Sequence, residues 1–582
     1  MKNSSEKIKI IPLVIAVTGH RDLVDTELGA IRARVKSLFL ELQENYPANP
    51  LMVMSSLAEG ADMLVAEVAI ELDIDLVVPL PKSRETYLPD FRTEQARQRF
   101  DLLCSQATQV FELVSDIPVA PVGMDQAKWE NDYPYAKLGI YLSAHCHILL
   151  ALWDGKASSH LGGTAQVVEF HHDNVMPGIT PKSVAAQQML VDDESDLVFH
   201  IVCSRDSEGF EPHPDHTPLD WSWYSKDVDE PRSRQLPAQH VLIFQRSSEF
   251  AVDALQFAEQ IEAGKWSLIG ENIETKLPEG AEAIDRIYYR ADWLAIYYQR
   301  KTLRTLFITH WMAFLMGLMF ILYSDFQSVR VLLLAFLGFF AVATAAHYLA
   351  KKGAWQRKYL DYRTLAEGLR VQFYWAVAGV TDENRWKYAH DSYLQSQNPE
   401  FGWIRNVMRV GGIRCDAYPN EDPGGVAFTV DEWVGAPDRG QLGYFKRRAH
   451  ERIKRQELTE RIGRLSLYVS VLAVFVFIFA DSLLPDPVHV FLTVLMGATL
   501  LSYGVREGYA YATATKELIK QYEFMLRIFD NAHRRLSATE ETEELRLVLA
   551  VLGQSALDEH SDWILMHRER SLDESEIWRM GS

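Results

Sequence analysis

Three short glycine-bearing stretches carry the residue types that bind phosphate. They are Gly19-His20-Arg21, Ser56-Leu57-Ala58-Glu59-Gly60-Ala61-Asp62 and Gly162-Gly163-Thr164. Each follows an apolar run and opens a stretch of helical period. Glycine lets a backbone approach a ligand closely, and a helix N-terminus offers free N–H groups and a partial positive charge to an anion. Arg21 adds a cation able to bind a phosphate through two N–H groups. The candidate ligand-binding set is Gly19, His20, Arg21, Ser56, Ala58, Glu59, Gly60, Asp62, Gly162, Gly163 and Thr164. Pro81, Trp153 and Asp154, at the ends of further apolar runs, complete it.

The elements that must position these residues alternate. Leu13–Thr18, Leu51–Ser56, Asp75–Leu80 and His147–Trp153 are short apolar runs of the kind that form buried parallel strands. Helical periods follow at 28–46, 61–72, near 135–144 and from 164 to about 171. Such alternation predicts an α/β Rossmann-like parallel sheet with ligands at the carboxyl ends of the strands. Leu197–Cys203 reads as one more strand of the same sheet, and Gln239–Lys265 as a helix or a strand and a helix. Between them, 206–234 is polar and reads as a loop, although it holds Trp221, Trp223 and Tyr224. His213-Pro-Asp-His216 and His171-His172 lack further ligands nearby, so no metal is expected.

The stretch from Pro12 to Asp173 resembles the SLOG superfamily, which unites the DNA-processing protein DprA with the Lonely Guy (LOG) nucleotide phosphoribohydrolases. Ser56-Leu-Ala-Glu-Gly-Ala-Asp62 looks like the S-G-x-A-x-G-x-D loop of the first branch. Gly162-Gly163-Thr164 looks like a shortened G-G-x-G-T loop of the second. The resemblance implies a nucleotide pocket. In the LOG enzymes a catalytic Glu lies three residues after the Thr. That position here is Val167, and Glu169 lies about 200° further round the helix. A nucleotide-binding module without catalytic residues is therefore expected, rather than an enzyme.

The second half of the chain has a different character. Uncharged apolar runs near 305–323, 331–349, 465–480 and 488–505 approach the roughly 20 residues that cross a hydrocarbon core. Short polar turns separate the members of each pair, which predicts four transmembrane helices in two hairpins. Arg300, Lys301, Arg304, Lys351, Lys352, Arg357, Lys358, Arg461, Arg464 and Arg506 flank the bases, whereas the turns hold only Arg330. By the positive-inside rule both termini and the α/β head are cytoplasmic, in a multi-pass inner-membrane protein. The apolar run Ile8–Val17 superficially suggests a signal peptide but contains Lys9 and Pro12, so none is expected.

The order helix, hairpin, helix occurs twice, which reads as a duplicated module. The predicted divisions are a head at 10–278, with its core at 12–173, and modules at 281–416 and 444–552. A linker at 417–443 separates the modules, and a tail occupies 553–582. The region from Ala281 to Leu552, particularly Tyr362–Gln372, looks like the SLATT family of two-transmembrane effector domains. That resemblance implies a bacterial anti-phage conflict system in which a nucleotide second messenger, cyclic or of ADP-ribose type, activates a membrane-disrupting effector. It implies homo-oligomers and a functional link to a nucleotide cyclase or TIR-type synthase.

Composition narrows the alternatives. A net charge of −20 over 582 residues argues against a general nucleic-acid binder. Cys104, Cys146, Cys203 and Cys415 lack paired spacing, so neither a disulfide framework nor a zinc site is expected. A pore would need several subunits, because the apolar runs carry no formal charge, only His310, His347 and His489. Two other readings compete. One is a membrane-anchored phosphoribohydrolase using Glu59 or Glu169; the other is a membrane scaffold with a vestigial head.

Overall fold

The computed structural model describes residues 11–113, 117–158, 160–180, 196–206, 211–226, 232–270, 277–325, 329–380, 393–394 and 399–569. The expectations about the first residues, and parts of those about 206–234, lie outside them. The chain forms two compact units. One comprises residues 1–290 with 365–425, and the other 291–364 with 426–582.

The first unit is built on a seven-stranded sheet. Its strands are β1 (Leu13–Gly19), β2 (Leu51–Met54), β3 (Asp75–Leu80), β4 (Gln109–Glu112), β5 (Ile148–Trp153), β6 (Val198–Val202) and β7 (Trp221–Tyr224). The order across the sheet is β4-β3-β2-β1-β5-β6-β7. All pairs are parallel except β6 with β7. Six of the seven β1 residues and all of β6 are buried, as expected for strands covered on both faces. The strand order reverses between β1 and β5, so the switch point of the sheet lies beside Gly19 and Trp153.

The helices α1 (Leu28–Asn45), α2 (Ala61–Glu71), α3 (Arg84–Tyr87), α4 (Glu94–Gln106), α5 (Gln126–His145) and α6 (Thr164–Asp173) connect the parallel strands. Two more, α7 (Ala238–Gln256) and α8 (Ala258–Gly264), follow β7, so the segment 239–265 is wholly helical. β7 corrects the reading of 206–234 as loop alone. Trp221 stacks on Phe199 of β6 at 5.4 Å, and Arg34 sits 3.7 Å above its ring. The cross-strand aromatic pair gives the polar segment its edge strand.

The remaining helices are α9 (Ala281–Asp325), α10 (Arg330–Lys352), α11 (Trp355–Ala378), α12 (Gly402–Ala417), α13 (Pro423–Thr429), α14 (Gly440–Ala480), α15 (Asp486–Ala512), α16 (Thr515–Leu536) and α17 (Thr542–Glu569). This arrangement changes the predicted divisions. Residues 365–425 pack with the sheet, not with the apolar runs on either side of them. The reason is a set of buried bonds from the α5–β5 junction to α12. Tyr141 Oη donates to the Ile413 carbonyl, and the His147 ring bonds the Asn406 carbonyl at 2.9 Å. The predicted linker also contains α13 and a wide helical turn, Val430–Val434. Much of the predicted tail is the end of α17.

Most of the exposed large apolar side chains among the described residues lie in the second unit. Among the described residues four helices, α9, α10, α14 and α15, are long and apolar enough to cross a membrane. On α14 and α15, Phe477 meets His489 at 5.0 Å and Ser470 Oγ lies 2.7 Å from Thr499 Oγ1. Small residues permit close approach of α9 and α15. A side chain on Gly497 would meet Ile321 at 2.8 Å, and one on Gly317 would meet Leu501 at 2.5 Å. Gly338 faces open space instead. The order long helix, apolar helix, left-handed alanine, helix recurs, with Ala354 (φ 47°) after α10 and Ala514 (φ 48°) after α15. Deeper in this unit Asp361 is fully buried between Arg357 (3.1 Å) and Arg568 (3.0 Å).

Candidate functional site: the carboxyl edge of the sheet

Two of the predicted loops are locked into each other. Ala61 N–H donates to the His20 carbonyl at 3.1 Å, which brings the end of β1 against the start of α2. A Cβ on Gly19 would lie 2.3 Å from Ala61 Cβ, and one on Gly60 would lie 2.5 Å from the Arg21 carbonyl oxygen. Gly60 also has φ +84°, in the region where side chains are rarely tolerated. These glycines were expected to make room for a ligand. The structure gives them another task, the packing of one loop on the next.

Asp62 has a similar role. Its side chain is buried and accepts from Ser56 Oγ at 2.8 Å and from the backbone of Ser56 and Ala58. Burial raises its pKa to about 6 against those hydrogen bonds and the nearby Arg21 charge. Asp62 therefore shapes the loop from within. Glu59 accepts the Arg92 backbone N–H at 2.9 Å, which ties the same loop to the segment ahead of α4. Pro81 is buried at the end of β3.

At the switch point, Asp154 N–H donates to His20 Nε2 at 3.1 Å, and the Asp154 carboxylate lies 3.3 Å from the same nitrogen. Burial opposes ionisation of Asp154, but His20, the Lys156 N–H and Arg205 outweigh it and hold the carboxyl below its usual range. Trp153 donates to the Lys156 carbonyl at 3.1 Å and its ring packs on His200 at 5.4 Å. The His213–His216 loop covers Gly155. His213 N–H bonds the Asp154 carbonyl, and a Cβ on Gly155 would strike His216 at 2.3 Å. Among the described residues no group of three or more His, Cys, Asp and Glu is placed to hold a metal.

Tyr135 of α5 joins the loops into one site. A Cβ on Gly162 would lie 2.7 Å from Tyr135 Cβ, so the loop before α6 rests on this residue. The Arg21 guanidinium lies 5.4 Å from the Tyr135 ring centroid and the Lys82 ammonium 4.8 Å from it. Tyr135 Oη accepts from Arg21 and donates to Asp90, while Lys82 Nζ lies 3.3 Å from Asp90 Oδ2. Burial, then the Asp90 bond, raise the Tyr135 phenol to about 12, so it stays a donor. Tyr87 is buried beneath, beside Arg21, Asp62 and Ser56, and its phenol pKa is pushed upward by burial.

Arg21, Lys82 and Tyr135 thus come from the loops after β1 and β3 and from α5, and the loop after β5 packs on the third of them. Of the predicted residues, Gly19, His20, Arg21, Ser56, Ala58, Gly60, Asp62, Asp154 and Gly162 join this edge. Gly163 and Thr164 open α6, where the Thr164 and Ala165 N–H groups have no partner among the described residues. Gln166 reaches back to Gly162 N–H at 3.0 Å and fixes that turn. Lys82, Tyr87, Asp90, Tyr135 and Gln166 escaped the sequence reading. The one available signal was Lys82, two residues beyond a predicted strand. Val167 is buried against Gly139, and Glu169 is exposed.

No protein-family model matches the chain, and no curated protein matches it.

Buried histidines set the pH response of this unit. His147 Nδ1 accepts Val14 N–H at 3.1 Å and its Nε2–H donates to the Asn406 carbonyl. Burial lowers its pKa to about 3, and lowers His172, His200 and His240 to about 4. Between those values and the ordinary pKa near 6.5 the unfolded chain binds more protons, so stability is lost as pH falls. Asp62, raised to about 6, acts in the opposite direction but is one group against four. The thermal midpoint of the head falls between pH 7 and pH 5. His147→Leu lowers it at pH 7, by about 2–5 kcal/mol for two orphaned buried groups, and flattens the slope. Differential scanning fluorimetry across that range measures both.

Proposed function

We propose that this chain is a nucleotide-sensing membrane effector. A nucleotide-derived ligand binds by its phosphate to the carboxyl edge of the sheet and shifts the membrane helices toward a state that opens or disrupts the bilayer. The observation that carries this reading is the convergence of Arg21, Lys82 and the Tyr135 phenol at the strand ends. The same chain has four helices apolar enough to span a membrane. Two cations and a neutral donor at the edge of a parallel sheet suit a phosphate group.

The resemblance to SLOG and SLATT domains supplies the biological setting, anti-phage defence, and the expectation of a homo-oligomer that rearranges on ligand binding. The basic residues flanking the apolar runs support an inner-membrane protein with its head in the cytoplasm and its apolar helices as two hairpins. The chain crosses between its two units at 290–291, 364–365 and 425–426, so ligand energy has three covalent routes to the membrane helices. A ligand moves that equilibrium only by its differential affinity for the two states. Binding without turnover fits a buried Val167 and a Glu59 already engaged by a backbone N–H.

A thermal-shift screen of the detergent-solubilised full chain tests the reading. Mononucleotides, cyclic dinucleotides and ADP-ribose derivatives form the panel. At least one raises the midpoint, and no base or phosphate is released on prolonged incubation. No shift with any of them, or steady turnover, contradicts it.

A further inference from the structure

Asp90 occupies the place that an anionic ligand group would take. Its carboxylate accepts the Tyr135 phenol and lies 3.3 Å from Lys82 Nζ, with the Arg21 charge close by. Asp90, together with the buried Asp62 near Arg21, offsets the two cations. With Asp90 turned away, one positive charge is left over for a phosphate. We propose that Asp90 is a built-in competitor that fills a phosphate subsite formed by Arg21, Lys82 and Tyr135, and that a phosphate-bearing ligand binds by displacing it. This rests on the reading of the strand-end edge as the ligand site.

The surroundings allow displacement without unfolding. Tyr87 and Phe91 flank Asp90, and both are buried in one aromatic cluster, Tyr87 with Phe91 at 5.1 Å and Phe91 with Phe100 at 5.0 Å. The backbone on either side is therefore anchored. The Asp90 side chain itself is 28% exposed, so rotation about its own bonds carries the carboxylate into water. The competitor sets a threshold. An anion must out-compete a tethered carboxylate, which disfavours weak monoanions and favours groups carrying two negative charges.

Titration calorimetry of the full chain in detergent with inorganic phosphate at pH 8, where it is a dianion, provides the test. Asp90→Asn keeps the shape, removes the charge and tightens phosphate binding at least fivefold. Asp90→Ser, a second variant in case the first fails to fold, changes affinity in the same direction. The gain disappears when Lys82→Gln is added. Phosphate bound equally well by wild type and both Asp90 variants overturns the competitor and leaves the ligand-site reading standing. A gain that survives Lys82→Gln places the anion elsewhere and overturns the subsite. No phosphate binding by any variant overturns the subsite and the ligand-site reading together.

Discussion

Gly60→Ala destabilises the head by about 3 kcal/mol or more, although it adds one methyl group. The added Cβ would sit 2.5 Å from the Arg21 carbonyl oxygen and 2.6 Å from that of His20. Neither oxygen can withdraw, because the His20 carbonyl accepts Ala61 N–H and the preceding residue, Gly19, is itself pressed against Ala61 and Leu152. The backbone at Gly60, with φ +84° and ψ −116°, adds strain for any side chain. Native domains have only about 5–15 kcal/mol in hand, so a loss of this size removes a large part of the margin. Gly29→Ala is the matched control. It lies in the first turn of α1 with nothing within 4 Å, and it gains up to about 1 kcal/mol. Thermal unfolding of the two variants, side by side, measures the contrast.

The second large effect is on ligand affinity. Removing a charge-assisted contact to a phosphate costs about 1.5–3 kcal/mol, so Lys82→Ala weakens binding by about 10- to 150-fold. Arg21→Lys is expected to cost nearly as much despite the retained charge. The planar guanidinium both bonds the Tyr135 hydroxyl and lies over its ring, and a compact ammonium cannot do both. Tyr135→Phe removes the donor but keeps the ring, and gives the smaller loss. Affinities from titration of each variant with the ligand found by the thermal-shift screen rank them. Neither Arg21 nor Lys82 is deeply buried in apolar surroundings, so their loss leaves the thermal midpoint close to that of wild type.

These expectations rest on features that were unequally visible in the amino-acid order. The strands β1, β2, β3, β5 and β6 were legible because each is a short, mostly apolar run, and the four long apolar helices because lipid-length runs without charge are rare. The loops with Gly19, Gly60 and Gly162 were placed at the correct edge, but their glycines serve contacts between distant loops, which no local pattern reveals. Tyr135 was passed over for the same reason. It lies in mid-helix next to Pro134, and its neighbours Arg21, Lys82 and Asp90 are 45 or more residues away in sequence. The predicted module at 281–416 takes in α12, because its bonds to the sheet join residues more than 250 apart in sequence and leave no local pattern. In the fold Arg405, Asn406 and Arg409 are buried, and α12 offers its carbonyls to His145 and His147. β7 was hidden by the polar residues around its aromatic pair.

Dye-loaded liposomes carrying the full chain test the link between ligand and membrane most directly. The account predicts that a nucleotide which raises the thermal midpoint also releases the dye, and that Arg21→Ala with Lys82→Ala abolishes both responses. A nucleotide that binds the wild-type chain tightly and leaves the dye inside, or release that persists in the double variant, would contradict it.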